Sequence, residues 1–190
     1  TDCRRAISAL MKAGANPNIH DPVLGFTPLM YVAKEDDASN VCLLLNCKAD
    51  VNARNRYDRE TALMMAVRVS KEEEDEEDEE EEEEKVLESN AVAAMLEAKS
   101  NTVAAMLEAK ADIEAADKDG HTPLLNAAYA FNFDALRTLL ENKANTEAKN
   151  AKGETALYDC ATRGSLEGTS ILLEHGAAAN TDSNGSGCNA

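Results

Sequence analysis

Apolar residues in this chain fall in short groups at helical spacing, and polar stretches rich in Asp, Asn and Gly separate the groups. In residues 119–149, Leu124, Ala127 and Ala128 make a narrow apolar stripe. Leu136, Leu139 and Leu140 then repeat the spacing within Phe133 to Asn142, so the pattern predicts two short helices back to back. Thr122 can cap the first of them, with Pro123 in the first turn, where a missing N–H does no harm.

The unit recurs along the chain. Thr-Pro-Leu or Thr-Ala-Leu stands at Thr27-Pro28-Leu29, Thr61-Ala62-Leu63, Thr122-Pro123-Leu124 and Thr155-Ala156-Leu157. A Leu-Leu type pair followed by Ala-Asp or Ala-Asn travels with it, at Leu44-Leu45/Ala49-Asp50, Met106-Leu107/Ala111-Asp112 and Leu139-Leu140/Ala144-Asn145. It returns with small changes at Leu10-Met11/Ala15-Asn16 and Leu172-Leu173/Ala177. Steps between threonines are 34, 61 and 33 residues, and between alanines 34, 62, 33 and 33, so one period near 33 holds with a single oversized step.

A fixed period of this size marks stacked supersecondary units, and a unit of about 33 residues that opens Thr-Pro-Leu resembles the ankyrin repeat. The resemblance implies an all-α, ankyrin-repeat solenoid of about five repeats across 1–183, the first incomplete. Approximate bounds are 1–21, 22–55, 56–116, 117–149 and 150–183, with an insertion at about 71–100 in the third repeat and a flexible tail at 184–190. The column that holds Leu136 reads Ile7, Val41, Val103, Leu136 and Thr169, so it turns polar only in the last unit, as a terminal cap should. The period also makes Arg5 to Ala13 a second helix, so the chain is expected to start inside a repeat, with Ile7 and Leu10 partly uncovered.

Departures from the family pattern carry physical content. The glycine that usually follows the second helix is kept at Gly14 and Gly176 but replaced by Lys48, Lys110 and Lys143. A non-glycine residue there costs roughly 1–2 kcal/mol if left-handed, so the middle repeats should be only moderately stable. Met30, Met64, Leu125 and Tyr158 stand where the family has His, which removes its usual hydrogen bond between neighbouring turns.

Composition fits a thin, elongated core: aromatics are 4% and Trp is absent, so burial must come from many small aliphatic contacts between neighbours. The chain has no run of 18 apolar residues and no signal-like h-region at Thr1-Asp2-Cys3-Arg4-Arg5, and membrane insertion is not expected. Five cysteines, Cys3, Cys42, Cys47, Cys160 and Cys188, lack C-x-x-C spacing and are odd in number. A reducing compartment inside the cell follows, the cytoplasm first and the nucleus second.

Charge is concentrated in one place. Glu72 to Glu84 are thirteen consecutive acids, and without them the formal charge falls from −17 to −4. Such a block repels itself and buries no apolar area, so a solvated loop is expected, with a helical extension or a ligand for a basic protein as the competing readings. Next to it, the eight consecutive residues Val92 to Lys99 of Asn90 to Ser100 (NAVAAMLEAKS) recur identically in Asn101 to Ala111 (NTVAAMLEAKA). The second copy should dock, because it alone leads directly into the turn at Asp117-Lys118-Asp119-Gly120. Val103, Met106 and Leu107 are then core, while Val92, Met95 and Leu96 belong to the insertion.

No motif points to catalysis, to a cofactor or to a metal. His20, His121 and His175 do not share a helical face at ligand spacing, and Cys160 sits at a small core position with no histidine as its base. Phosphate-loop, H-E-x-x-H and G-x-S-x-G patterns are absent. An acidic chain with pI near 4.5 is a poor nucleic-acid ligand, and the one basic cluster, Arg54-Asn55-Arg56-Tyr57-Asp58-Arg59, is diluted by acids.

What the resemblance implies for function is a non-enzymatic scaffold that binds another protein through its concave face and turn tips. The family's variable positions map to Leu24, Phe26, Lys34 and Glu35 in the second repeat and to Tyr57, Asp58, Glu60 and Arg68 in the third. Lys118, Asp119, His121, Tyr129 and Asn142 follow in the fourth, then Lys152, Glu154, Thr162 and Arg163 in the fifth. Phe26, Tyr57 and Tyr129 could anchor an interface or pack locally. Alternatives are an acidic-tract binder of basic proteins through Glu72 to Glu84 and a structural subunit of a larger assembly.

Overall fold

The computed structural model describes residues 2–69 and 101–179, with side chains from Arg4 onward. The acidic run, the first copy of the duplicated segment and the tail therefore lie outside the described residues. Nine helices occur among those described: α1 (Asp2–Lys12), α2 (Pro28–Lys34), α3 (Ala38–Asn46), α4 (Ala62–Ala66), α5 (Thr102–Glu108), α6 (Pro123–Tyr129), α7 (Phe133–Glu141), α8 (Ala156–Thr162) and α9 (Leu166–Glu174). They stack in two rows, α2, α4, α6 and α8 in one, and α1, α3, α5, α7 and α9 in the other.

The sequence starts these helices by local chemistry. Thr27, Thr61, Thr122 and Thr155 lie in extended backbone and accept the N–H three residues on, and Pro28 and Pro123 fill first-turn positions. Asp37, Asn101, Asn132 and Ser165 do the same for α3, α5, α7 and α9. The second helix of the fourth repeat ends at Glu141, with Asn142 as its C-cap, one residue earlier than the sequence suggests.

The core is one continuous stripe through every layer. Leu44, Met106, Leu139 and Leu172 occupy equivalent places and are fully buried, as are Leu29, Leu63 and Leu124 in the first-helix row. Val103 and Met106 are buried and Leu107 packs half-buried against the same core, so the second copy of the duplicated segment fills the third repeat's slot. Leu10 is exposed and Ile7 partly buried. The last unit is less polar than its Thr169 column suggests, because Leu166 and Leu173 on α9 also face outward. Lys48, Lys110 and Lys143 all adopt the left-handed conformation, with φ of 65°, 68° and 70°, beside Gly14 and Gly176 at 82° and 85°.

A hydrogen-bonded ladder joins the turns of neighbouring repeats. At each turn after a second helix, a side chain accepts the backbone N–H of the next turn: Asn18 from Asp50 at 2.7 Å, Asn52 from Asp112 at 2.8 Å, Glu114 from Asn145 at 2.7 Å and Glu147 from Ala178 at 2.9 Å. The Asn52 rung joins residues 60 apart, so the array resumes its register across the oversized step.

Candidate functional site

Four hairpin-like fingers project before the first helices, each built on one Asx residue. Asp21, Asn55, Asp117 and Asn150 pair through their backbone N–H with Phe26, Glu60, His121 and Glu154, while their side chains accept further N–H groups of the same finger. Neighbouring fingers touch through the backbone, Lys118 N–H to Asp58 at 2.8 Å and Ala151 N–H to Asp119 at 2.9 Å. A Cβ on Gly120 would lie 2.9 Å from the Ala151 nitrogen, so the close approach as well as φ +79° requires glycine there. Arg59 takes the matching place in the finger of the third repeat with φ 59°.

The Asp21 carboxylate is the most strongly held acid of the fingers. The N–H of Leu24, then those of Phe26 and Val23, and finally the Tyr31 hydroxyl hold its pKa at about 2, against desolvation. Desolvation and the same carboxylate raise the pKa of Tyr31. Phe26 is half-buried, edge-on to Tyr31 with ring centroids 5.4 Å apart, so this ring packs locally.

The predicted contact residues divide into those the fold engages and those it leaves free for contact. Glu60 is buried and binds Asn55 at 3.0 Å and Arg68, whose guanidinium also donates twice to Asn126 Oδ1, at 3.1 and 2.8 Å. That network ties the third repeat to the fourth. Lys118 pairs with Asp58 at 2.5 Å, and the acid raises its pKa. His121 is partly buried against Asp117 and Asn150, and Glu154 accepts from Asn150. Asn142 caps a second helix and donates to Thr138 O, away from the fingers and first helices.

Leu24, Lys34, Glu35, Tyr57, Asp119, Tyr129, Lys152 and Thr162 are exposed on fingers or at first helices. Tyr57 and Tyr129 are the most open of the aromatics, at 63% and 61%. Arg163 lies over the rings of Tyr129 and Phe131, 4.5 and 4.1 Å from their centroids, and so orders that corner of the fourth and fifth repeats. Tyr31, Tyr158 and Phe131 are also exposed, and Tyr31 and Tyr158 lie in first helices one turn after their caps. A cleft of about 570 Å³ opens on the second-helix side, among Phe131, Phe133, Asp134 and Arg137, and none of the predicted contact residues lines it.

Little here supports bond-making chemistry. Cys160 is fully buried, and burial, then the nearby Asp159, pushes its thiol up to about 11, the opposite of an activated nucleophile. Asp117, Asp119 and His121 could in principle share a cation, but one Asp117 oxygen accepts two backbone N–H groups and Arg68 approaches the other to 3.8 Å. Among the described residues basic side chains do not gather: beside the finger of the third repeat Arg54 donates to Ala116 O at 2.7 Å and serves the fold. No helix among the described residues is long and apolar enough to cross a membrane.

Paired short helices, threonine N-caps and a common ladder define a helical-repeat protein of the finger-bearing kind. Comparison with known families matches residues 2–74 and 91–183 to Ankyrin repeats (3 copies), and the chain belongs to that family. Comparison with individual curated proteins gives no match. Ankyrin repeats are in general protein–protein interaction modules and typically non-enzymatic.

Proposed function

We propose that this chain is a non-enzymatic scaffold that holds a partner protein against its finger tips and first helices, inside the cell. Tyr57 and Tyr129 carry the reading: two large aromatics stay more than 60% exposed, Tyr129 with one ring face held by Arg163. Exposed, ordered aromatics commonly dominate interface energetics, and Leu24, Lys34, Glu35, Asp119, Lys152 and Thr162 are exposed on the same fingers and first helices. The test is a quantitative pull-down with the full chain, the Tyr57→Ala/Tyr129→Ala variant and a deletion of Lys71 to Lys85. The tyrosine variant loses the partner while its thermal midpoint stays near that of the parent.

The charge distribution favours a second reading. Thirteen of the acids stand in one run, and a run of that density attracts basic proteins with steep salt dependence. If the partner survives loss of both tyrosines but not loss of the acidic run, the scaffold reading fails and the acidic tract is the binding element.

A further inference from the structure

A polar chain runs across the third, fourth and fifth repeats on the finger side of the array. Asn55 donates to Glu60 at 3.0 Å, Arg68 pairs with Glu60 and stands 3.8 Å from Asp117, and Asp117 faces the His121 ring at 3.5 Å. The ring then meets Asn150 at 3.4 Å, and Asn150 donates to Glu154 at 2.8 Å. His121 is thus the side-chain link at the boundary between the fourth and fifth repeats. We infer that His121 is a proton-sensitive latch between the fingers of these two repeats, closed when the ring is neutral and released when it gains a proton.

The neighbours fix which ring nitrogen carries the hydrogen. Nδ1 faces a carboxylate oxygen of Asp117, so the hydrogen belongs there, and Nε2 faces the Asn150 amide nitrogen and accepts from it. Asn150 cannot turn its amide round, because Oδ1 already accepts the N–H groups of Lys152 at 2.9 Å and Glu154 at 3.0 Å. A proton on Nε2 therefore sets one donor against another. Histidine changes charge between about pH 5 and 8, so mild acid is enough. The charged groups around the ring decide where it then goes. Asp117 and Asp119 belong to its own finger, and one carboxylate oxygen of each and a ring nitrogen lie within 4.8 Å of one another. Arg68 competes for the same Asp117 oxygen, and Glu154 lies beyond Asn150. The charged ring is drawn into the fourth repeat's finger, and the contact it gives up is the one to the fifth. The backbone bond from Ala151 N–H to Asp119, 2.9 Å long, then carries the junction and opens more often.

The experiment is nuclear magnetic resonance of the full chain from about pH 8 to 5, the range in which histidine titrates, beside a His121→Gln variant, which keeps an acceptor for Asn150 and cannot gain a proton. At the alkaline end the ring nitrogens should show the hydrogen on Nδ1. As the pH falls, the Asn150 side-chain amide should shift with the same midpoint as the His121 ring. Exchange of the Ala151 amide, corrected for its intrinsic pH dependence, should quicken about three-fold or more over the same range. In His121→Gln both should stay level, which separates the ring's proton from any taken up by the neighbouring acids. A hydrogen on Nε2 at the alkaline end overturns the inference, as does an Asn150 amide that ignores the His121 midpoint. So does an Ala151 amide that fails to quicken in the parent or quickens equally in both chains.

Discussion

At the residue scale, backbone handedness decides several costs that side-chain contacts do not reveal. Lys48, Lys110 and Lys143 hold φ near +65° to +70° at turns where Gly14 and Gly176 serve the ends. Each Lys→Gly change should stabilise by about 0.5–1 kcal/mol, the left-handed strain relieved less the entropy of glycine in the unfolded chain, visible as a rise in urea midpoint. Glycine is not interchangeable in the other direction. A Cβ at Gly168 in α9 would meet Cys160 Sγ at 2.7 Å and Ser165 Oγ at 3.0 Å, so Gly168→Ala should destabilise by about 1–3 kcal/mol, although alanine is the better helix former. Titration gives a third residue-scale outcome. Asp21 is held at about 2 against an ordinary 3.8, so its contribution is complete above pH 4 and disappears as pH falls toward 2. Asp21→Asn should flatten that part of the acid-unfolding curve, and it should lower the Tyr31 pKa, measured by ultraviolet titration of the phenol.

At the element scale, the caps and apolar stripes were legible because each depends on residues within four positions of one another. The contacts between elements were not. Glu60 and Arg68 read as partner-facing positions from their place in the unit, yet the fold joins them to each other and to Asn126, 58 residues from Arg68. No local pattern reports that Arg68 finds a buried asparagine on α6. Arg68→Ala leaves the Glu60 carboxylate with Asn55 alone, and it should cost about 1–2 kcal/mol because Arg68 itself is partly solvated. The double variant Glu60→Gln/Arg68→Ala should recover part of that loss in thermal denaturation, since a neutral side chain needs no counter-charge.

At the scale of the whole molecule, stability is a sum over neighbouring layers, and the acidic run adds a repulsion that no layer contains. The formal charge of −17 falls to −4 without Glu72 to Glu84, so the urea midpoint of the parent should rise with added salt and that of the deletion should rise less. Equal salt dependence in the two chains would show that the array's own charges govern it. The one-dimensional design also explains how the chain tolerates an oversized third repeat: the ladder passes from Asn52 to Asp112 and the rows of helices continue across it.

The sequence by itself determined the period, the caps, the left-handed lysines and the column of buried leucines and methionine, because each follows from spacing and from the stereochemistry of short segments. Tertiary structure alone decided which polar residues the fold consumes. The fate of Arg68, Arg54 and His121 depends on Asn126, Ala116 and Asn150, which stacking brings from the next repeat, and a hydrogen bond of about 3 Å is set by that stacking rather than by any pattern along the chain.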